Sequence, residues 1–217
     1  MLDGLPATDV LQTPWSGMSW QHAPPQAQVT ADGALEVRTG DQTDFWQATH
    51  YGFTHSNGHA LLQAAPSEFT ACVRVRGEYL QLYDQAGLMV WADDTHWLKA
   101  GVEYVEQNGQ QRQQWSAVLT RDFSDWSVMP AEAHAAVWFR VIRRADAVIV
   151  HARPDSTESA PAPTAWTLLR LAYFPPTLPV RVGVMACSPQ RAGFQATFDQ
   201  FTLTPSDARS LHELTQP

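Results

Sequence analysis

The chain has 217 residues, a formal net charge of −8 at pH 7 and an isoelectric point near 5.4. That balance opposes a nucleic-acid partner, because such affinity begins with Lys and Arg neutralising phosphates. With 44% hydrophobic and 17% charged residues, the chain falls outside the disordered class and has enough apolar mass for a real core.

No basic segment followed by an apolar stretch opens the sequence, and no apolar run nears the roughly 20 residues of a spanning helix. A cytoplasmic protein with no membrane partner is therefore expected. Cys72 and Cys187 are too few and too far apart for a disulfide framework or a zinc ribbon, and each reads as a small buried thiol inside a strand. The nine Trp exceed ordinary usage, but Trp fills sandwich cores as readily as it offers a flat platform to a sugar ring.

Residues 1–12 carry no strong pattern and are compatible with an initial strand or a loose segment. Pro14-Trp15 and Trp20 bracket a short polar stretch, which Pro24-Pro25 ends. Segments 28–30 and 34–39 flank Asp32-Gly33, a hairpin signal, with Leu35 and Val37 on one face. Thr43-Asp44-Phe45-Trp46, Tyr51-Gly52-Phe53 and Ser56-Asn57-Gly58-His59 then form an aromatic-rich connection, expected to fold over an edge of the sandwich. His50, His55 and His59 lie in it. Their spacings come from a segment with no helical face, and no neighbouring Cys or Glu completes a ligand set, so neither a metal nor another cofactor is expected.

Strands follow at 60–65 and 68–76. Next come 80–92 and 97–105, alternating at period two around the turn Asp93-Asp94-Thr95-His96. Leu88, Val90, Leu98, Ala100, Val102 and Tyr104 form one apolar face. The other face carries Tyr83, Gln85, Met89 and Trp91 against Trp97, Lys99 and Glu103, a mixture of rings, amide, ammonium and carboxylate suited to holding a ligand.

Residues 107–114 read as a polar hairpin loop around Asn108-Gly109, 115–120 as the returning strand, and Ser124-Asp125-Trp126-Ser127 as a turn followed by a loop through Pro130. Further strands are expected at 137–144, 147–153, 166–173, 180–186 and 194–204. The stretch 154–163 has the composition of a mobile surface loop, and 206–214 of a short helix capped by Ser206. About a dozen evenly spaced strands with no repeat and no linker make a single all-β sandwich domain over 1–217.

The phrases Thr43-Asp44-Phe45-Trp46, Asn57-Gly58-His59, Tyr83-Asp84-Gln85-Ala86-Gly87-Leu88-Met89, Trp97-Leu98-Lys99-Ala100-Gly101-Val102-Glu103 and Ser188-Pro189 resemble the regulation-of-enolase-like group of the concanavalin A-like lectin/glucanase superfamily. The resemblance spans residues 15–204 and implies a jelly-roll sandwich of two antiparallel sheets. It implies no particular activity. The Tyr-Asp-Gln-Ala-Gly-Leu phrase is also similar to the accessory sandwich domain of certain xylosidases. The Glu-x-Asp-x-x-Glu strand of retaining glucanases in the superfamily has no counterpart here.

On such a fold Tyr83, Gln85, Trp91, Trp97, Lys99, Glu103, Trp138 and Arg140 are expected to share the concave sheet. Rings would stack on a sugar-like ligand there while the polar groups orient it. A glycosidase usually needs two carboxyls about 5–10 Å apart. Glu103 is the one carboxylate clearly on this face, Asp84 falls on the other, and Asp44, Asp94 and Asp125 lie in loops that reach at most the rim. Lys99 beside Glu103 should lower the carboxyl pKa.

Three functions stay open at this level. The first is binding of a carbohydrate-like or polar small ligand. The second is a regulatory or structural role through a protein partner or a homodimer. The third is a hydrolase or lyase working through Glu103, with Lys99 and Arg140 stabilising charge and Trp91 and Trp97 positioning a ring.

Overall fold

The computed structural model describes residues 13–155 and 165–216. The expectations for 1–12, and for all of the 154–163 stretch but Pro154 and Asp155, lie outside the described residues.

In chain order the strands are β1 (Ser19–Gln21), β2 (Gln26–Val29), β3 (Leu35–Arg38), β4 (Phe45–Gln47), β5 (Thr54–Ser56), β6 (His59–Ala65), β7 (Phe69–Gly77) and β8 (Gln85–Asp93). They continue with β9 (His96–Gln107), β10 (Gln110–Arg121), β11 (Phe123–Pro130), β12 (Val137–Arg144), β13 (Ala147–Pro154), β14 (Thr167–Tyr173), β15 (Val180–Cys187) and β16 (Gln195–Thr204).

One seven-stranded sheet runs β1-β6-β15-β8-β9-β10-β11, the other β14-β13-β12-β7-β16-β3-β2, and β4 pairs with β5 in a separate ribbon. Every pairing among the described strands is antiparallel. The architecture is the expected all-β sandwich of two antiparallel sheets. Among the described residues no helix is long and apolar enough to cross a membrane.

Period-two alternation builds the core. Phe69, Ala71, Val73 and Val75 of β7 face Leu88, Val90, Leu98, Ala100 and Val102 of β8 and β9 across the sandwich, all buried. Tyr104, assigned to that set, is only half-buried, because it lies near the end of β9; its hydroxyl donates to Gln111 Oε1 at 2.8 Å. Cys72 and Cys187 are free thiols, the first half-buried and the second buried.

Three local expectations change. The polar stretch 107–114 is mostly strand: β9 and β10 continue to a two-residue turn at Asn108 and Gly109, both with positive φ. Its polarity reflects a hairpin tip in water, not a lack of pairing. Residues 124–127 belong to β11, paired with β10, and the reversal is at Asp122 (φ 64°).

Segment 206–214 is not a helix. A single 3₁₀ turn, Glu213–Thr215, ends a strap laid on the outer face of the second sheet. Arg144 Nη1 donates to the Asp207 and Arg209 carbonyls, and Leu211 and Leu214 pack on Ile142 and Ile149. These tertiary contacts outweigh the weak propensity of a short helix.

Candidate ligand pocket

The β8–β9 ladder sets Gln85 opposite Glu103, Met89 opposite Lys99 and Trp91 opposite Trp97. These six side chains therefore share the face of the first sheet turned away from the core. Glycines at 87 and 101 also pair directly. A Cβ on Gly87 would meet the Ala100 carbonyl oxygen at 1.9 Å, so only glycine permits the close approach of the two strands here.

The aromatic-rich connection does not cap an edge. It folds as the β4–β5 ribbon over this face and seats Phe45 with its ring 5.5 Å from Trp91 and 6.0 Å from Trp97. Phe45, Leu62, Met89, Trp91, Trp97, Val118 and Met185 form a second, fully covered apolar cluster. Placing Phe45 brings the preceding Asp44 over the sheet. The Asn57-Gly58 turn holds it there: both amides donate to the Asp44 carbonyl, at 3.1 and 3.0 Å, and the Asp44 amide donates to Asn57 Oδ1 at 3.0 Å.

Lys99 Nζ donates to Asp44 Oδ1 at 2.7 Å, and Gln85 Nε2 donates to the same oxygen at 3.3 Å. Glu103 Oε2 accepts from Gln114 Nε2 at 2.9 Å, and Ser116, on the neighbouring strand β10, is close enough to lower this carboxyl's pKa. Trp126 Nε1 in turn donates to Ser116 Oγ at 3.0 Å. Above this floor lies a cavity of about 260 Å³. Asp44, Gln85, Lys99 and Glu103 line its base, and Trp46, Tyr51, Phe53, His55, Tyr83 and Trp126 its walls.

Four of the eight residues assigned from sequence thus meet in one cavity: Tyr83, Gln85, Lys99 and Glu103. Trp91 and Trp97 share their face but lie beneath Phe45, 3% and 0% exposed, so they are packing residues. Trp138 and Arg140 are on the other sheet, because β12 pairs with β7 and β13, not with the β9 neighbourhood. There Trp138 Nε1 donates to Asp155 at 2.7 Å. Arg140 lies 4.3 Å from the Trp166 ring centre and donates to the Leu214 carbonyl, holding the C-terminal strap.

Asp84 also serves the scaffold. It is fully buried, pairs with Arg191 at 2.7 Å and accepts from the Leu80 and Gln81 amides. Asp125 is an exposed partner of Arg170. Of the ribbon's residues, sequence named Asp44 only as a loop carboxylate near the rim, whereas it lies at the cavity base; the rest was legible only as an aromatic connection with a turn dipeptide at its end.

The three loop histidines separate. His59 Nδ1 donates to the His22 carbonyl and its Nε2 accepts from the Gly40 amide, both at 2.9 Å, while burial lowers its pKa. His55 lines the cavity and His50 stands edge-on to Tyr51. Among the described residues no group of three or more His, Cys, Asp or Glu is placed to hold a metal.

Burial raises the Glu103 pKa; Lys99 opposes this without overcoming it, so the expected lowering is reversed. Burial disfavours the Lys99 ammonium, but Asp44 more than compensates and its pKa lies above the ordinary value. Tyr83, with a strained φ of 65°, has its hydroxyl pushed up to about 12 by burial and by the neighbouring Tyr51.

A carboxyl whose folded pKa is raised adds stability that is complete below its unfolded pKa of about 4.3, and loses it as pH rises through the folded pKa. Glu103→Gln, neutral at every pH, should therefore gain stability relative to wild type as pH rises from 4 to 8. Urea midpoints across that range check the slope; a difference independent of pH would contradict the raised pKa.

Residues 20–206 match a family described as a protein of unknown function, DUF1349. The chain is 40% identical over 191 residues to Regulation of enolase protein 1 of Saccharomyces cerevisiae, covering 88% of this chain and 91% of that one. A crystal structure of a functionally unknown Saccharomyces cerevisiae protein superposes with a TM-score of 0.80 at 39% identity, over 90% of this chain and 100% of that chain. A family-43 glycoside hydrolase mutant of Bacillus licheniformis matches at a TM-score of 0.58 and 15% identity, over 80% of this chain and 33% of its own. That last likeness is one of fold.

Proposed function

This chain belongs to the DUF1349 family, whose description states no function, and from that premise we propose that it binds a small hydroxyl-rich, carbohydrate-like ligand in the cavity under the β4–β5 ribbon. The observation that carries the reading is the pairing of a polar floor with a ring-lined wall. Lys99 and Glu103 are 4% and 6% exposed at the base, while Tyr51 and Phe53, stacked at 5.3 Å, stand half-exposed at the rim. Concave sites that combine aromatic walls with a few fixed polar groups gain affinity from the former and orientation from the latter.

A role for Glu103 as reactive carboxylate of a hydrolase or lyase has less support. One of its oxygens accepts from Gln114, and Asp44, the other carboxylate of the cavity, is held by Lys99.

A thermal-shift screen of neutral sugars, polyols and sugar acids tests the proposal. A ligand at one hundred times its Kd should add about 2.7 kcal/mol, or about 5–10 °C in Tm for a chain of this size. Tyr51→Ala should abolish the shift while costing the free protein about 1 kcal/mol, since the half-exposed ring also packs on Trp46 and Phe53. If no compound moves Tm and Tyr51→Ala is silent, the cavity is not a ligand site.

A second reading, regulation of a metabolic enzyme by direct contact, is favoured by the name of the yeast relative. Light scattering of an equimolar mixture with purified enolase distinguishes it: two independent species at micromolar concentration would count against it.

A further inference from the structure

Resting on the reading of this cavity as a ligand site, we infer that its ligand is one free neutral ring bearing hydroxyl groups, or the free end of a short chain of such rings, and that polymer interiors are excluded. An uncovered face on a seven-stranded sheet would form a trough open at both ends, through which a long chain can run. Here the trough is blocked. Phe45 fills the half of the face nearest the β8–β9 turn, over Trp91 and Trp97. The ribbon carrying it is tied down on two sides. The Gln47 amide donates to Ser124 Oγ on β11 at 2.8 Å, and Gln47 Nε2 donates to the Asp94 carbonyl in the β8–β9 turn at 2.9 Å.

Across the cavity from the ribbon's Tyr51, Tyr83 lines the opposite wall. Tyr83 cannot swing away freely. Its loop is anchored by Asp84, which Arg191 grips through Nε and Nη2, and the Tyr83 amide donates to the Tyr104 carbonyl at 2.6 Å. Pro189 and Gln190, next to Arg191, close the same side. The result is a blind cavity with rings on several sides.

Size and charge narrow the occupant. About 260 Å³ falls just below the range of about 300–1,000 Å³ typical of pockets for drug-sized ligands, which suits one saturated ring with its substituents. The walls present ring faces at differing angles, with Trp46 and Trp126 perpendicular at 89° and 6.4 Å. They meet a ring with apolar faces, while the floor meets hydroxyls at its edge. The ammonium of Lys99 has three donors, one of them given to Asp44, whose charge already balances it. A carboxylate on the ligand would compete with Asp44 and come close to Glu103, so sugar acids are disfavoured.

Calorimetric titration with glucose, xylose, galactose and arabinose, their di- and tetrasaccharides, the matching soluble polysaccharides and the corresponding uronic acids tests this. At least one free neutral ring should bind, with affinity reduced at least tenfold by Phe53→Ala. Its tetrasaccharide should bind once per chain and no tighter than the disaccharide. At equal ring concentration the polysaccharide should bind at least tenfold more weakly. A polysaccharide that binds as tightly per ring, a tetrasaccharide that gains tenfold over the disaccharide, or a uronic acid preferred over its neutral sugar would overturn the inference and leave the binding site standing. No response to any sugar of any length would overturn both.

Discussion

Lys99→Met should lower the folding stability by about 3–5 kcal/mol, the usual cost of removing one partner from a buried ion pair. The ammonium is 4% exposed and balances Asp44 at 2.7 Å, with Glu103 close enough to feel its charge. Met fills nearly the same volume, so the loss is electrostatic and not a cavity effect. Asp44 would keep its Gln85 contact and its bond from the Phe45 amide, which cannot replace a full charge.

For a chain of this length that loss corresponds to a fall in Tm of about 6–20 °C. Lys99→Met combined with Asp44→Asn should recover at least half of it, because a neutral pair in the same space leaves no uncompensated ion. Urea unfolding of both variants decides. A single-variant loss under about 1 kcal/mol would mean that water reaches Asp44 and screens it.

Phe45→Ala should cost a similar amount, about 3–5 kcal/mol, from lost transfer energy together with the void left behind. The ring is completely buried and packs against backbone as well as side chains. A Cβ on Gly58 would lie 2.3 Å from Phe45 Cε2, so the turn beside it has been shaped around the ring. Without that anchor the ribbon is held by Trp46 against Trp126, the Asp44–Lys99 pair and hydrogen bonds such as those of Gln47 to Ser124 and Asp94.

Trp91 and Trp97 would then gain water contact, and Trp emission should shift to longer wavelength in the folded variant. Phe45→Leu should show a loss of about 1–2 kcal/mol with little spectral change, since most of the volume is kept. An unmoved spectrum and a loss under about 1 kcal/mol for Phe45→Ala would show that the ribbon does not depend on this ring.

The β8–β9 hairpin shows what local information can carry. Side-chain direction along a strand follows from the geometry of each residue, so alternation alone places Gln85, Lys99 and Glu103 on one face and Leu88, Leu98 and Val102 on the other. The same rule correctly separates Phe139 from Trp138 and Arg140 on β12. It is silent about which sheet β12 joins. Backbone hydrogen bonds are alike for every strand, and the choice of β7 and β13 as neighbours depends on how all the apolar faces are buried together.

Fold class, the two faces of the central hairpin and four cavity residues were therefore determined by the sequence alone, through composition and periodicity. Only the tertiary structure decided what covers the polar face. Asp44 meets Lys99 across 55 positions of chain, and Trp97 is sealed under Phe45 instead of facing a ligand. A ring beside polar groups reads the same in sequence whether another segment lies on it or water does. Burial of Glu103 likewise reverses the effect expected from its neighbour Lys99, because desolvation is a property of everything packed around a group, most of it distant in the chain.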